Sequence, residues 1–127
     1  MGTEALSLTF VVPGKPCPAS RPRVSGGRAY YEEPYNSWRT GAKLLAQSAM
    51  SLANWEMAPA GVRCGITVWI YGADPRADSS NILKAAEDVC QAAGILKNDV
   101  QFKELHVFNE ERIPEDGPSI KIKVRVL

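Results

Sequence analysis

Five prolines and three glycines between residues 13 and 34 restrict the fold of this chain more than any other feature of its sequence. The prolines stand at positions 13, 16, 18, 22 and 34, and the glycines at 14, 26 and 27. Proline lacks the amide hydrogen that a helix needs, and glycine loses more backbone entropy than other residues when a helix forms. We therefore predict a long irregular loop here, and loops of this length usually serve a function.

The segments on either side of this loop predict alternating strands and helices. Residues rich in β-branched and aromatic side chains predict strands over 6–12, 62–71, 100–107 and 119–127. Apolar residues at helical spacing predict helices over 36–53 and 80–93. The order β-α-β-α-β-β is typical of a two-layer α+β domain, and we expect a single domain over residues 1–127.

Both predicted helices have recognisable ends or faces. Asn36 is the expected cap of the first helix, which would bury a stripe of Trp38, Ala42, Leu45, Ala49 and Leu52. Cap candidates for the second helix are Asp78, Ser79 and Ser80, and Gly94 suits its end. Its buried stripe would be Ile82, Ala85, Ala86, Val89 and Ala93.

Composition excludes several classes of protein. No apolar run approaches the roughly 18 residues of a membrane span, and residues 1–7 lack the pattern of a signal peptide. We therefore expect a cytoplasmic protein without a membrane partner. The chain has three cysteines without a C-x-x-C pair, which argues against a disulfide scaffold or zinc knuckle. A single histidine, His106, makes a histidine-cluster metal site very improbable.

The formal net charge of +1 hides an asymmetry along the chain. Residues 11–43 contain six basic and two acidic residues, a net charge of +4, so the remainder carries −3. Basic loops dock on polyanions, and clustered carboxylates hold divalent cations. The alternative interpretation is that both segments are ordinary solvated surface.

Most groups capable of chemistry lie between residues 74 and 102. Asp78, Ser80 and Lys84 stand at the start of the second helix, and Asp99 follows its end. Carboxylates suit Mg²⁺ or Mn²⁺, and a lysine can offset the charge that develops on a phosphorane. The helix would be about 21 Å long. Asp78 and Asp99 can therefore share a metal only if residues 95–99 fold back along it, or if the two come from different subunits.

The same stretch resembles the RusA family of phage and prophage Holliday-junction resolvases. The family pattern, Asp-x-Asp-Asn-x-x-Lys, then a glycine and an Asp-Asp pair before glutamine, reads here as 78-DSSNILK-84, Gly94 and 98-NDVQ-101. The N-terminal half agrees as well, at 13-PGKP-16, 21-RPR-23, Tyr31, Pro34, Tyr35 and Trp38. The resemblance covers about residues 8–126.

This resemblance implies a homodimeric, Mg²⁺-dependent endonuclease that resolves four-way DNA junctions by paired nicks in recombination and repair. Its fold would be the two-layer α+β arrangement, with a mixed sheet and two helices. Asp78 and Asp99 would be catalytic metal ligands and Lys84 the catalytic lysine, and Asn81 matches the family asparagine. Branched DNA would be the partner.

Two departures from the family pattern concern charge. Ser80 stands in place of the second aspartate and Asn98 in place of the first of the late pair, so the metal site loses two negative charges. A Ser80 hydroxyl can still hold a metal-bound water. Asp74 or Asp88 could replace the missing carboxylate, although Asp88 is more simply the i+4 partner of Lys84. The alternative function is a junction-binding protein with a weakened or lost nuclease site.

The proline-rich segment supplies candidates for DNA contact. Lys15, Arg21, Arg23 and Arg28 could contact phosphates, which position DNA without reading its sequence. Tyr30, Tyr31 and Tyr35 could stack on exposed bases. The alternative, which we favour, is that these tyrosines pack against the helix that follows them.

Overall fold

A computed structural model describes residues 6–127, in which four strands form a mixed sheet and two helices cover one of its faces. Residues 1–5, to which the predictions about a signal peptide and the start of the domain extend, lie outside this range. The elements in chain order are β1 Ser7–Pro13, β2 Arg23–Ser25, β3 Arg28–Tyr30, α1 Tyr35–Ala53, β4 Cys64–Tyr71, α2 Ser79–Ala93, β5 Phe102–Glu110 and β6 Ser119–Val126.

The main sheet has the strand order β1-β6-β4-β5, so the last strand lies between the first and the fourth. β4 and β5 are parallel and are joined through α2, whereas β6 is antiparallel to both β1 and β4. Alternation sets the buried face: Leu8, Phe10 and Val12 are buried in β1 while the residues between them are exposed. The prediction of an α+β fold with a mixed sheet and two helices is confirmed.

The predicted buried stripe of α2 is correct, because all five of its members are buried against the sheet. The stripe predicted for α1 is wrong in part. Leu45 and Leu52 are 40% and 88% exposed, and the buried residues are Tyr35, Ala42 and Ala46. The buried face of α1 is thus rotated relative to the prediction, and Leu45 and Leu52 lie on its exposed side.

The start of α1 also differs from the prediction. The helix begins at Tyr35, one residue before the expected cap Asn36, and the position that precedes it is Pro34. The Glu33 carboxylate accepts the Ser37 backbone N–H at 2.9 Å and also bonds the Ser37 hydroxyl. An acidic side chain that reaches the first turn thus replaces the expected asparagine cap.

The proline-rich segment is less irregular than predicted. β2 and β3 form a short antiparallel hairpin in which Ser25 pairs with Arg28. Gly26 and Gly27 form its two-residue turn, with φ of 58° and 78°. Two-residue hairpin turns of the common type need positive φ at both positions, which glycine adopts without steric cost. Within residues 6–127, no helix combines the length and apolar character needed to cross a membrane.

Candidate functional site

Asp78 is the N-cap of α2 and immediately precedes its first residue, Ser79. One carboxylate oxygen, Oδ1, accepts the backbone N–H of Ser80 at 2.9 Å and the Ser80 hydroxyl at 2.7 Å. These hydrogen bonds from Ser80, with a smaller contribution from the Lys84 ammonium, lower the pKa of the Asp78 carboxyl below its ordinary value. The carboxylate is therefore ionised and fixed in place by the start of its own helix.

The chain turns back along α2 after that helix ends. Gly94 adopts the left-handed conformation with φ of 86°, and a single 3₁₀ turn follows at Asp99–Gln101. The Asp99 backbone N–H donates to Gln91 Oε1 at 2.9 Å, which joins the turn to the last part of the helix. This contact holds Asp99 beside Gln91 at the C-terminal end of α2, thirteen residues along the helix from Asp78, so the fold does not bring the two carboxylates together within one chain.

Two family-pattern residues near Asp99 have structural partners. Asn98 Oδ1 accepts the Val100 N–H at 3.0 Å, and Gln101 Oε1 accepts the Asn98 N–H at 2.8 Å, a reciprocal cap of the turn. Gln101 is 5% exposed and donates to the carbonyls of Pro59 and Val62 at 2.8 and 2.9 Å. Asn98 therefore has a structural role as the cap of this turn, and that role requires no metal ion. This local cap is also why β5 begins at Phe102 rather than at the predicted residue 100.

Glu87 is a candidate that sequence analysis missed. Burial raises the pKa of its carboxyl, the nearby Asp99 charge raises it further, and Lys84 partly offsets both effects. Its carboxylate has no hydrogen bond or ion pair within the described part of the chain. Lys84, Glu87 and Gln91 recur at spacings of three and four residues, the repeat of one helix side, and this pattern was the available signal.

Asp88 does not belong to this group, and both interpretations offered for it are wrong. Its Oδ2 accepts the Arg39 Nε–H at 2.6 Å and the Tyr35 hydroxyl at 2.7 Å. Asp88 thus neither replaces a metal ligand nor pairs with Lys84. It joins α2 to α1, a contact between helices that periodicity within α2 could not reveal.

The donor chemistry suits Mg²⁺ or Mn²⁺ with few protein ligands. Among residues 6–127 no three histidine, cysteine, aspartate or glutamate side chains are gathered closely enough to hold a metal ion together. Asp78, Glu87 and Asp99 are nevertheless hard oxygen donors. Mg²⁺ in proteins commonly keeps several waters and takes only one or two carboxylates. Glu87 and Asp99, whose charges interact, could contribute to a water-rich divalent site, whereas Asp78 lies at the other end of α2 and would contribute only across subunits.

The proline-rich segment lies against the N-terminal end of α2. The Ala19 backbone N–H donates to the Asn81 carbonyl at 2.9 Å, which holds the segment on the first turn of the helix. Lys15 Nζ lies 3.7 Å from Asp74 Oδ2, so the Asp74 charge already has a basic partner. Asp74 Oδ1 also accepts the Arg76 N–H at 2.9 Å and shapes the approach to Asp78.

The four candidate DNA contacts are all exposed. Arg23 pairs with Glu32 at 2.9 Å, with both side chains more than half exposed. Arg21 and Arg28 form no ion pair within residues 6–127. Exposed pairs such as Lys15–Asp74 and Arg23–Glu32 contribute little to stability, so these basic groups remain free to exchange their partners for phosphates.

The three tyrosines divide between the two interpretations. Tyr35 is 2% exposed, and burial with its hydrogen bond to Asp88 raises the pKa of its hydroxyl strongly. Tyr31 packs edge-on against Tyr35 with ring centroids 5.2 Å apart, and the Arg39 guanidinium lies 5.0 Å from the Tyr31 centroid. The interpretation that the tyrosines pack against the helix is thus correct for Tyr31 and Tyr35, whereas Tyr30 is 44% exposed.

Comparison with known proteins agrees with this arrangement. A comparison with curated proteins gives no match. The family model of endodeoxyribonuclease RusA, however, matches residues 13–125 of the 127. The matched range contains the proline-rich segment, both helices and the turn with Asp99. With nearly the whole chain matched, this chain belongs to the RusA endodeoxyribonuclease family.

Proposed function

We propose that this chain is a structure-selective endonuclease that resolves four-way DNA junctions by paired nicks in recombination and repair, with Mg²⁺ or Mn²⁺ as cofactor. The observation that supports this most directly is the RusA family match, which spans Asp78 and Lys84 at the start of α2 and Asp99 in the turn after it. Because Asp99 is held at Gln91, thirteen residues along α2 from Asp78, the two acidic parts of the family pattern would meet between two subunits.

In the proposed site, Asp78 and Asp99, contributed by different subunits, would hold the metal ion, and the Ser80 hydroxyl would hold one of its waters. The ion would polarise a phosphoryl oxygen and lower the pKa of bound water. Lys84 offsets the charge that develops on the phosphorane or its leaving oxygen. The hydrogen bonds from Ser80 keep Asp78 ionised and oriented before DNA binds.

DNA binding is assigned to Lys15, Arg21, Arg23 and Arg28. These side chains surround or precede the segment that Ala19 attaches to α2, so phosphates bound there would run toward Asp78. Contacts of this kind add affinity that falls with salt and recognise backbone shape rather than sequence. Such recognition suits a branched substrate in the cytoplasm of a bacterial host.

Two nicks across a junction require two active sites, so we propose a homodimer. The edge strand β5 supports this, because Leu105 and Phe108 on it are 50% and 48% exposed. Apolar side chains on an exposed strand edge are typical of a surface that pairs with another chain.

The decisive experiment is cleavage of a synthetic four-way junction with each strand labelled in turn, over a titration of Mg²⁺ and of Mn²⁺. We expect metal-dependent nicks in two strands, reduced about a hundredfold or more in Asp99→Asn, because a ligand of the cofactor is lost. Asp116→Asn, in the exposed turn before β6, is the matched control and should cut normally. A folded dimer that cuts with neither metal would contradict the nuclease function.

A second candidate function is junction binding with a weakened nuclease site. It is favoured by Ser80, whose hydroxyl is already engaged with Asp78, and by the absence of a three-carboxylate group among residues 6–127. Tight, salt-sensitive binding without nicks would support it, and Ser80→Asp should then restore cutting. If the wild type cuts as fast as Ser80→Asp, this candidate is wrong.

A further inference from the structure

A cavity of about 530 Å³ opens beside the approach to Asp78, and the site described above involves only Lys15 and Asp74 at its rim. Its walls come from the proline-rich segment, the start of α1 and the loop before α2. The lining is mostly apolar and includes Pro16, Pro18, Pro34, Trp38 and Ala77. Its volume lies within the range of about 300–1,000 Å³ that is usual for small-ligand sites.

The aromatic wall of this cavity is held rigidly. Trp38 stacks on Tyr35 with centroids 6.1 Å apart and an interplanar angle of 19°. Tyr35 is itself buried and fixed by its hydrogen bond to Asp88. A ring positioned in this way loses little conformational freedom when a flat ligand stacks on it.

The same tryptophan has an unfulfilled hydrogen bond. Its Nε1 atom is buried and has no acceptor within the described part of the chain. Buried indole N–H groups normally find a partner, because an unpaired one costs free energy. Because this atom has almost no accessible surface, a ligand in the cavity could reach it only if the indole ring moved.

Charge at the cavity rim favours an anionic ligand. Lys15 and Arg76 line it, and both are exposed. Asp74 also lines the cavity, but its carboxylate is already engaged by Lys15 Nζ and by the Arg76 backbone N–H. With Asp74 counted, the rim carries one net positive charge, and an apolar slot with an aromatic wall and such a rim matches a nucleobase whose flanking phosphates lie outside.

We infer that this cavity binds one unstacked base of the DNA substrate, next to the strand that enters the Asp78 site. The base would stack on Trp38 between the prolines, and Lys15 and Arg76 would contact its flanking phosphates. Proteins that take a base out of a stack read it in this way, with aromatic or apolar faces and a few polar contacts. This inference rests on the proposed function, since it needs DNA to run past Asp78.

The test uses four-way junctions that carry 2-aminopurine singly at each position around the crossover. Fluorescence of this base analogue changes when it leaves the helical stack, and junction binding is measured separately by anisotropy in Ca²⁺. We expect a several-fold change at one position with the wild type and none with Trp38→Leu. Trp38→Leu should also bind the junction about tenfold more weakly, as expected for the loss of one base stack.

Leu52→Ala is the matched control, because Leu52 lies on the same helix but is 88% exposed and far along it from the cavity. It should keep both the fluorescence change and the affinity. A wild type that binds the junction without changing any position would overturn the inference and leave the proposed function intact. A wild type that binds no junction would overturn both.

A second arm avoids dependence on the folding of Trp38→Leu. Cys17 lines the cavity and is partly exposed, whereas Cys64 and Cys90 are fully buried. Alkylation of the wild type with N-ethylmaleimide at alkaline pH should therefore fill the cavity selectively. We expect alkylated protein to lose the fluorescence change, while Cys17→Ser treated in the same way keeps it. An alkylated wild type that still shows the full change would contradict the inference.

Discussion

Glu87 and Asp88 are neighbours on α2, yet their carboxylates have opposite surroundings. Asp88 accepts hydrogen bonds from Arg39 and Tyr35, so its charge is balanced by a cation within the fold. Glu87 is partly buried near the like charge of Asp99, and among residues 6–127 Lys84 is the cation that lowers the pKa of its carboxyl. Asp88, whose charge is paired within the fold, joins two helices. Glu87 and Asp99, whose negative charges repel each other, form a place where a bound cation would be stabilised.

The surroundings of each carboxylate indicate whether it stabilises the fold or serves the proposed site. Removal of a balanced charge should cost stability, because its buried partners are left without it. Removal of a carboxylate that lacks such a partner should reduce function and stabilise the metal-free protein. Three substitutions on the one helix can separate these two kinds of acidic residue.

The largest effect is expected for Lys84→Met. Nicking of a four-way junction should fall about a hundredfold, because a positive group that offsets transition-state charge is lost. Mn²⁺ binding, measured by calorimetry, should rise by about threefold, since the Lys84 charge interacts with both the Asp78 and the Glu87 carboxylates and opposes a cation at either one. Lys97→Met, exposed just after α2, is the control. Loss of Mn²⁺ binding in Lys84→Met would show that the lysine has a different role.

Asp88→Asn should reduce stability without a specific effect on metal binding. The Arg39 and Asp88 side chains are 25% and 29% exposed, so we expect a loss of about 1–3 kcal/mol, less than for a fully buried pair. Thermal unfolding by circular dichroism measures this loss, with Asp116→Asn as the control. If Asp88→Asn instead keeps its stability and loses Mn²⁺ affinity, the contrast with Glu87 is wrong.

Glu87→Gln should have small effects of opposite sign. Mn²⁺ affinity should fall about tenfold, because a carboxylate close to the ion is lost. The metal-free variant should gain roughly 0.5 kcal/mol near neutral pH, a value reduced for the solvent exposure of the site. Calorimetry and thermal unfolding in chelator measure the two effects.

The pH dependence of that gain follows from the pKa of Glu87, which folding raises above its ordinary value of 4.5. The protonated carboxyl favours the wild-type fold below pH 4.5, and this stability is lost as the pH rises through the higher folded-state pKa. Glu87→Gln should therefore match the wild type in acid and exceed it above that pKa. An equal gain at all pH values would mean that burial and the Asp99 charge are not its cause.

Local features of the chain predicted α2 well. Asp78 caps it and Gly94 ends it, because both signals act within one turn of the residue that carries them. The start of α1 was less predictable, since the Glu33 carboxylate reaches the turn that Asn36 was expected to cap. The Gly26-Gly27 pair is a signal for a hairpin turn, but the surrounding prolines led us to predict an irregular loop.

The residues of the candidate site were also predicted only in part. Asp78, Lys84 and Asp99 were selected from the family pattern, and they remain proposals that the experiments above test. Glu87 was missed because its spacing from Lys84 and Gln91 marks one side of the helix without showing that this side faces Asp99. Only the packing of α1 on α2 gives Asp88 its partners, and only the return of the chain at Asp99 gives Glu87 a like charge.

The sequence by itself determined the α+β class, the ends of α2 and the resemblance that the family match bears out. Those features depend on alternation, caps and motif order, which act over a few residues. The tertiary structure decided the partners of Asp88, the neighbours of Glu87 and the cavity beside Trp38. These depend on contacts between residues some 10 to 60 positions apart, and such contacts form only when the helices pack on the sheet.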